Sequence, residues 1–259
     1  MRRVQLAAIC NNRCVFCAQN AAFHEETAAV EDSVLEQISE SPLMLVGGEP
    51  TLVSNLEHQI TALHARGIEV HVQTNARRLA RDPALAPRLA AAGLRGAEVA
   101  LHGPTAAVHD YHTQAPGSFR ETVIGVRSLV GARIEVVLTT LVTRSNFRHL
   151  SEWVRLASAL GVARAEMRSV LPVGRAAVRP RLEPPHELAM PHVRAAQDHA
   201  RRVGLKCDAR PAAIEDFVAT GAESARQVIS IEKLKSATAL ADTSNHRPAA
   251  PRTGEWSPA

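Results

Sequence analysis

The chain has 259 residues, 46% of them apolar, and its 30 basic and 26 acidic side chains leave a formal charge of only +4. That length and apolar content can bury one sizeable core, so one catalytic domain is expected. No run of about 18 or more apolar residues occurs and no basic run is interleaved with aromatics, so neither a membrane nor nucleic acid is expected as a partner.

Short β-branched runs alternate with amphipathic stretches, the pattern of parallel βα units, and six such units are counted. The first strand is expected over Val4 to Ile9 and feeds directly into Cys10, Cys14 and Cys17. The opening segment, Met1 to Ile9, is too short for a signal peptide with its cleavage site. Three cysteines packed into eight residues are poorly placed to staple a fold and well placed to share a metal centre, so a reducing, cytoplasmic setting is expected.

A second strand, Leu43 to Val46, ends in Gly47-Gly48-Glu49-Pro50, and its helix places Leu56, Ile60 and Leu63 on one face before Gly67. The third strand, Ile68 to Gln73, runs into Thr74-Asn75, followed by a short helix marked by Leu85 and Leu89 and ended by Gly93. Strand four, Ala97 to Leu101, leads into the loop His102-Gly103-Pro104. Ser118 and Glu121 are read as a capping box opening the next helix, with Val123, Val126 and Val130 as its buried stripe. The fifth strand, Ile134 to Val142, precedes a helix with Leu150, Trp153, Val154, Ala157 and Leu160 at helical spacing and Gly161 at the stop. A sixth strand, Ala165 to Val170, and a helix ending near Val203 and Gly204 complete the set. The fold expected is therefore α/β, a partial (β/α)6 barrel of parallel strands over residues 1–210. A short helical segment is expected over 211–229, and a solvated, disordered tail over 230–259.

In parallel α/β architectures the loops at the carboxyl ends of the strands form the site, because every strand delivers its following loop to one face. The informative residues fall there. Three thiolates on one tight loop can hold three irons of a 4Fe-4S cube and leave the fourth iron open to a substrate group.

Cys10-Asn11-Asn12-Arg13-Cys14-Val15-Phe16-Cys17 resembles the CxxxCxxC loop of the radical S-adenosylmethionine superfamily, with an aromatic before the last cysteine. The resemblance implies that the open iron chelates S-adenosylmethionine and that an electron from the cluster cleaves it to methionine and a 5'-deoxyadenosyl radical. This radical would then remove a hydrogen atom from a small metabolite or a peptide. It further implies that Cys10, Cys14 and Cys17 are the cluster ligands. Phe16, Gly47, Gly48, Glu49, Thr74, Asn75, His102 and Arg168 would bind the cofactor, and a reductant such as flavodoxin or ferredoxin would supply the electron. Gly47-Gly48-Glu49 is similar to the superfamily's second motif, and Thr74-Asn75 resembles its Thr-Asn-Gly turn, except that Ala76 stands where glycine is usual and the backbone is expected to differ there.

Plainer readings accompany these. The three cysteines with Cys207 or a histidine would make a structural zinc site, and the chain a non-catalytic interaction module. Cys207 is otherwise expected to be a buried inert thiol. Gly-Gly-Glu is also an ordinary turn, and Thr74-Asn75 a helix cap. His102, His109 and His112, with Asp110, suggest a second metal or an acid-base group, but solvated loop residues are the simpler expectation. Arg168 can pair with Glu166 or a neighbouring strand.

Overall fold

The computed structural model describes residues 1–18 and 32–213. The expected helical segment and tail beyond residue 213 lie outside the described residues. Within them, seven parallel strands follow one another in chain order across a single sheet. They are β1 (Arg2–Gln5), β2 (Leu43–Val46), β3 (Val70–Thr74), β4 (Leu94–Ala100), β5 (Glu135–Val142), β6 (Arg164–Ser169) and β7 (Lys206–Arg210). The connecting helices are α1 (Asp32–Glu36), α2 (Leu56–Ala65), α3 (Arg77–Arg81), α4 (Leu85–Ala91), α5 (Ala106–Thr113), α6 (Ser118–Gly131), α7 (Leu150–Ala159) and α8 (His186–Arg202).

Alternation along the strands separates two environments. Val4, Val70, Val72, Ala97, Val99, Val136, Leu138, Ala165 and Met167 join the aliphatic faces of the helices in one core. Most of their neighbours on the opposite sheet face are polar. Gln73 Nε2 donates to Glu98 at 2.6 Å, and Arg168 meets Glu98 through both terminal nitrogens at 2.8 Å and Glu166 through Nε at 2.9 Å. Arg3 lies 3.7 Å from Glu98. Buried ions of one sign cost several kcal/mol each unless paired, so these residues occur as a network.

The second expected strand is found at its own bounds and the other five with shifted ends, and the sheet gains a seventh. The β7 segment, Lys-Cys-Asp-Ala-Arg, is half exposed and lacks an apolar run, which is why its pattern did not announce a strand. Helix α5 falls where a loop was expected. It buries His109 and His112 rather than aliphatic side chains, so its sequence carries no apolar stripe.

The capping box is also corrected. The N-cap of α6 is Gly117, at φ 83°, and Ser118 and Glu121 do not bond to each other. Asp110 of α5 caps α6 instead, accepting from Gly117 N at 2.7 Å, Phe119 N at 2.7 Å and Ser118 Oγ at 2.8 Å. A capping acid that arrives from another helix is invisible to local spacing. The buried stripe of α6 runs through Ser118, Thr122, Gly125, Val126 and Leu129, leaving Val123 and Val130 partly buried at its margin.

Replacing Asp110 by Ala should lower stability by about 1–2 kcal/mol, read as a drop in thermal midpoint. Burial alone would raise the Asp110 carboxyl, but its bonds from Phe119, Ser118 and Gly117 outweigh that and hold it below its ordinary value. Its contribution is therefore present above the unfolded carboxylate pKa and fades as pH falls through the lower folded one. The difference between wild type and variant should shrink in acid below about pH 4.

Candidate active site

All eleven residues singled out from the sequence line one cavity at the carboxyl end of the sheet. Cys10, Cys14, Phe16 and Cys17 come from the chain leaving β1, Gly47, Gly48 and Glu49 from that leaving β2, and Thr74 and Asn75 from the end of β3. His102 follows β4, and Arg168 lies near the end of β6. Asn12, Ala18, Gln73, Glu98, Ala100, Thr139, Thr140 and Leu141 complete the wall.

The cysteine loop is held from three sides, through its backbone and through the side chains of Asn11 and Asn12. The last turn of α5 accepts from it, Arg13 N to Thr113 O at 2.7 Å and Val15 N to His112 O at 2.9 Å. From the end of β3, Asn75 Nδ2 donates to Asn11 Oδ1 at 2.7 Å, and Arg77 Nη1 donates to Asn11 O and, at 2.7 Å, to Asn12 Oδ1. After β6, Arg175 N donates to Cys17 O at 3.0 Å and Arg179 Nη1 to Val15 O at 3.1 Å. Gly174 permits this last approach, since a Cβ there would lie 2.3 Å from Cys17 O. Phe16 sits edge-on to His102, ring centroids 4.6 Å apart.

Glu49 ties the second loop to the third. Its Oε1 accepts from Thr51 N, Thr51 Oγ1 and Thr74 Oγ1 at 3.0, 2.6 and 2.5 Å, and its Oε2 from Asn75 N at 2.7 Å. Burial raises this carboxyl although all those donors pull the other way. The glycines before it bring two stretches of this chain together, Gly48 N donating to Ala7 O at 2.9 Å and Glu49 N to Ile9 O at 2.7 Å.

Ala76 corrects the expectation of a changed backbone. It keeps the left-handed conformation a glycine would take, at φ 59°, and Gly125 of α6 packs against its carbonyl so closely that a Cβ at 125 would lie 2.1 Å from the oxygen. Tertiary packing thus overrides a preference worth about 1 kcal/mol.

The three histidines are buried, contrary to the solvated loop expected. His102 N donates to His109 Nδ1 at 3.0 Å, which leaves the proton of His109 on Nε2. His112 Nδ1 donates to Val108 O at 2.6 Å and its Nε2 accepts from Thr143 Oγ1 at 2.7 Å. Burial lowers all three, His109 to about 3, so they are neutral at ordinary pH. His102 Nδ1 is a buried polar atom on the cavity wall without a protein partner. Asn146 fixes this corner by donating from Nδ2 to His102 O at 2.9 Å and Leu141 O at 2.8 Å. Arg168 faces the cavity with its guanidinium engaged by Glu98 and Glu166; burial works against its charge, and the two carboxylates outweigh that and hold it charged.

The donor set fits a multi-iron cluster. Cys10, Cys14 and Cys17 are free thiols on one wall, and no three acidic, histidine or cysteine side chains among the described residues converge as a lone ion requires. A cube presents a separate iron to each thiolate, so its ligands stand further apart than those of one zinc. Burial pushes Cys10 up to about 12, helped by the Glu49 charge, and raises Cys14 together with Cys17 and Cys10. Loading therefore displaces protons. Cys207 does not complete a zinc site with them. It pairs with Ala165 near the start of β6, at the opposite end of the sheet from the cysteine loop, and packs partly buried against the core.

Sequence reasoning missed Arg77. Its one signal is position: a cation at the first residue of a helix opposes the helix dipole and calls for another explanation.

A family model described as the Radical SAM superfamily matches residues 4–157. The AdoMet-dependent heme synthase of Nitratidesulfovibrio vulgaris is 25% identical over 175 residues, 65% of this chain and 47% of that protein. The mycofactocin maturase MftC of Mycobacterium tuberculosis is 29% identical over 164 residues, 61% of this chain and 41% of that protein. This chain thus spans about half the length of such relatives or less. Among solved structures, SuiB of Streptococcus suis bound to the precursor peptide SuiA superposes with a TM-score of 0.66 at 14% identity, covering 80% of this chain and 48% of that one. The protein anSMEcpe with bound AdoMet does so with a TM-score of 0.63 at 15% identity, covering 80% and 64%.

Proposed function

The chain belongs to the radical S-adenosylmethionine superfamily, whose members bind a 4Fe-4S cluster and S-adenosylmethionine, and on that premise we propose that it cleaves this cofactor reductively to start hydrogen abstraction from a small molecule or a peptide. The observation that carries the reading is the convergence of the three thiols with the Gly47-to-Glu49 loop, Thr74, Asn75, His102 and Arg168 on one cavity. When bound, the cluster supplies the electron that breaks the sulfonium bond and so delivers a 5'-deoxyadenosyl radical to the substrate.

The chain's own groups do the rest. Cys10, Cys14 and Cys17 hold the cluster, and the loops tied together by Glu49 and Asn75 keep its surroundings fixed, since positioning and exclusion of water are the protein's share of such chemistry. Arg168 is fixed by two carboxylates, which take three of its five N–H donors and offset its charge locally. It therefore serves a ligand through its one remaining N–H on each terminal nitrogen more than through net charge. Neutral His102 offers a ring nitrogen on the same wall.

The names of the relatives and the peptide bound to SuiB support a small-molecule or peptide substrate. The electron donor in this reading is a flavodoxin or ferredoxin. Anaerobic reconstitution tests it: iron and acid-labile sulfide should be taken up, and dithionite with S-adenosylmethionine should yield 5'-deoxyadenosine, stimulated by extract that contains the substrate. Stoichiometric zinc and no response to dithionite would favour the interaction module.

A further inference from the structure

Arg77 occupies a place that helix stability does not explain. It is the first residue of α3, where a positive charge is unfavourable, and it is 6% exposed. The turn through Ala76 sends it back towards the start of the chain, and α6 pins that turn through Thr122 Oγ1, which donates to Asn75 O at 2.9 Å. At one edge its Nε donates to Glu121 Oε2 at 2.6 Å; at the other, Nη1 reaches Asn11 O and Asn12 Oδ1. Asn12 N in turn donates to Cys10 Sγ at 3.4 Å. A continuous series of contacts therefore runs from α6 through Arg77 and Asn12 to the first thiol.

We infer that Arg77 is a positioning residue for the cluster: anchored on Glu121, it fixes the Asn11-Asn12 backbone so that the Asn12 amide stays on Cys10 Sγ, and it thereby sets the cluster's reduction potential. The inference rests on the cofactor reading above. Two physical effects act in the same direction. An amide hydrogen bond to a ligating sulfur and a nearby desolvated cation both stabilise the reduced, more negative state, and so raise the potential. The cation is not cancelled locally, because Glu121 is shared between Arg77 and Arg81, whose Nη2 lies 2.8 Å away, leaving two positive charges against one negative. Burial keeps that charge from being screened by salt. The planar fork matters as well, since one guanidinium spans Glu121 and Asn12 at once and a lysine ammonium has no such fork.

The test uses the full chain, reconstituted anaerobically and titrated with dithionite while the reduced cluster's electron paramagnetic resonance signal is followed. Arg77→Gln should move the midpoint to more negative potential and broaden the signal. Arg77→Lys, which returns the charge without the fork, should recover part of the midpoint shift and leave the signal broad. A folded, cluster-loaded Arg77→Gln protein with the wild-type midpoint and line shape would overturn the inference. A second readout needs no cluster: alkylation of Cys10 by iodoacetamide, mapped by mass spectrometry, should be several-fold faster in Arg77→Gln, and equal rates would count against Arg77 as the loop's anchor. Failure of the wild type to take up iron and sulfide would instead remove the cofactor reading and leave the alkylation comparison to decide on Arg77.

Discussion

Replacing Cys14 by Ala should abolish the brown absorbance, the bound iron and sulfide, and 5'-deoxyadenosine formation together, without unfolding the protein. Cys14 is half-buried and packs against the small cluster of Val15, Phe16, Leu141, Val170, Ala176 and Leu182, so the truncation removes about 1 kcal/mol of apolar contact. That is small against the 5–15 kcal/mol typical of a folded domain. The cluster, by contrast, has only three thiols on its wall, and no fourth cysteine stands near enough to take over. Cys207→Ala is the matched control. It removes a thiol of similar burial from the opposite end of the sheet and should leave iron content and turnover at wild-type levels. A Cys14→Ala protein that kept its cluster and its product would sink the assignment, and a Cys207→Ala protein that lost them would restore the zinc alternative.

What was legible in the sequence was what local pattern encodes. The cysteine spacing, the Gly-Gly-Glu and Thr-Asn turns and the apolar strands each lie within a few residues, and parallel topology then delivers them to one end of the sheet. Contacts between loops were not legible. Glu49 reads as an acid free for a ligand, and its hydrogen bonds from Thr74 and Asn75 emerge only once β2 and β3 are paired. Asp110 and Glu121 show the same limit, because each serves a helix other than its own. The three histidines were misjudged for a different reason. A polar ring in a stretch that reads as a loop looks solvated, yet here their neighbours are Phe16, Thr143 and one another. Arg168 carries two readings in the sequence because pairing with Glu98, seventy residues earlier, depends on β4 and β6 both flanking β5.

Gly48→Ala is expected to be among the most damaging single-methyl changes at the described glycines. A Cβ at this position would lie 2.2 Å from Ile9 O and 2.3 Å from Ala8 O, and neither backbone atom can swing aside as a side chain would. Relief requires the two stretches to separate, which also removes the bonds from Gly48 N to Ala7 O and from Glu49 N to Ile9 O. Overpacking costs about 1–3 kcal/mol and each lost hydrogen bond about 1, so the total is roughly 3–5 kcal/mol. The damage also propagates to the site, because Ile9 adjoins Cys10, and Glu49 is the group that holds Asn75, whose side chain holds Asn11. Iron and sulfide uptake should therefore fall to background even at temperatures where circular dichroism still reports a fold. Gly67→Ala separates this effect from glycine loss in general. Gly67 has φ 77° but nothing within 4 Å of an added Cβ, so the change should cost only about 1 kcal/mol of backbone strain and leave cluster content intact. If Gly48→Ala loaded its cluster as well as Gly67→Ala does, the loops after β1 and β2 would not be the rigid pair on which the site is built.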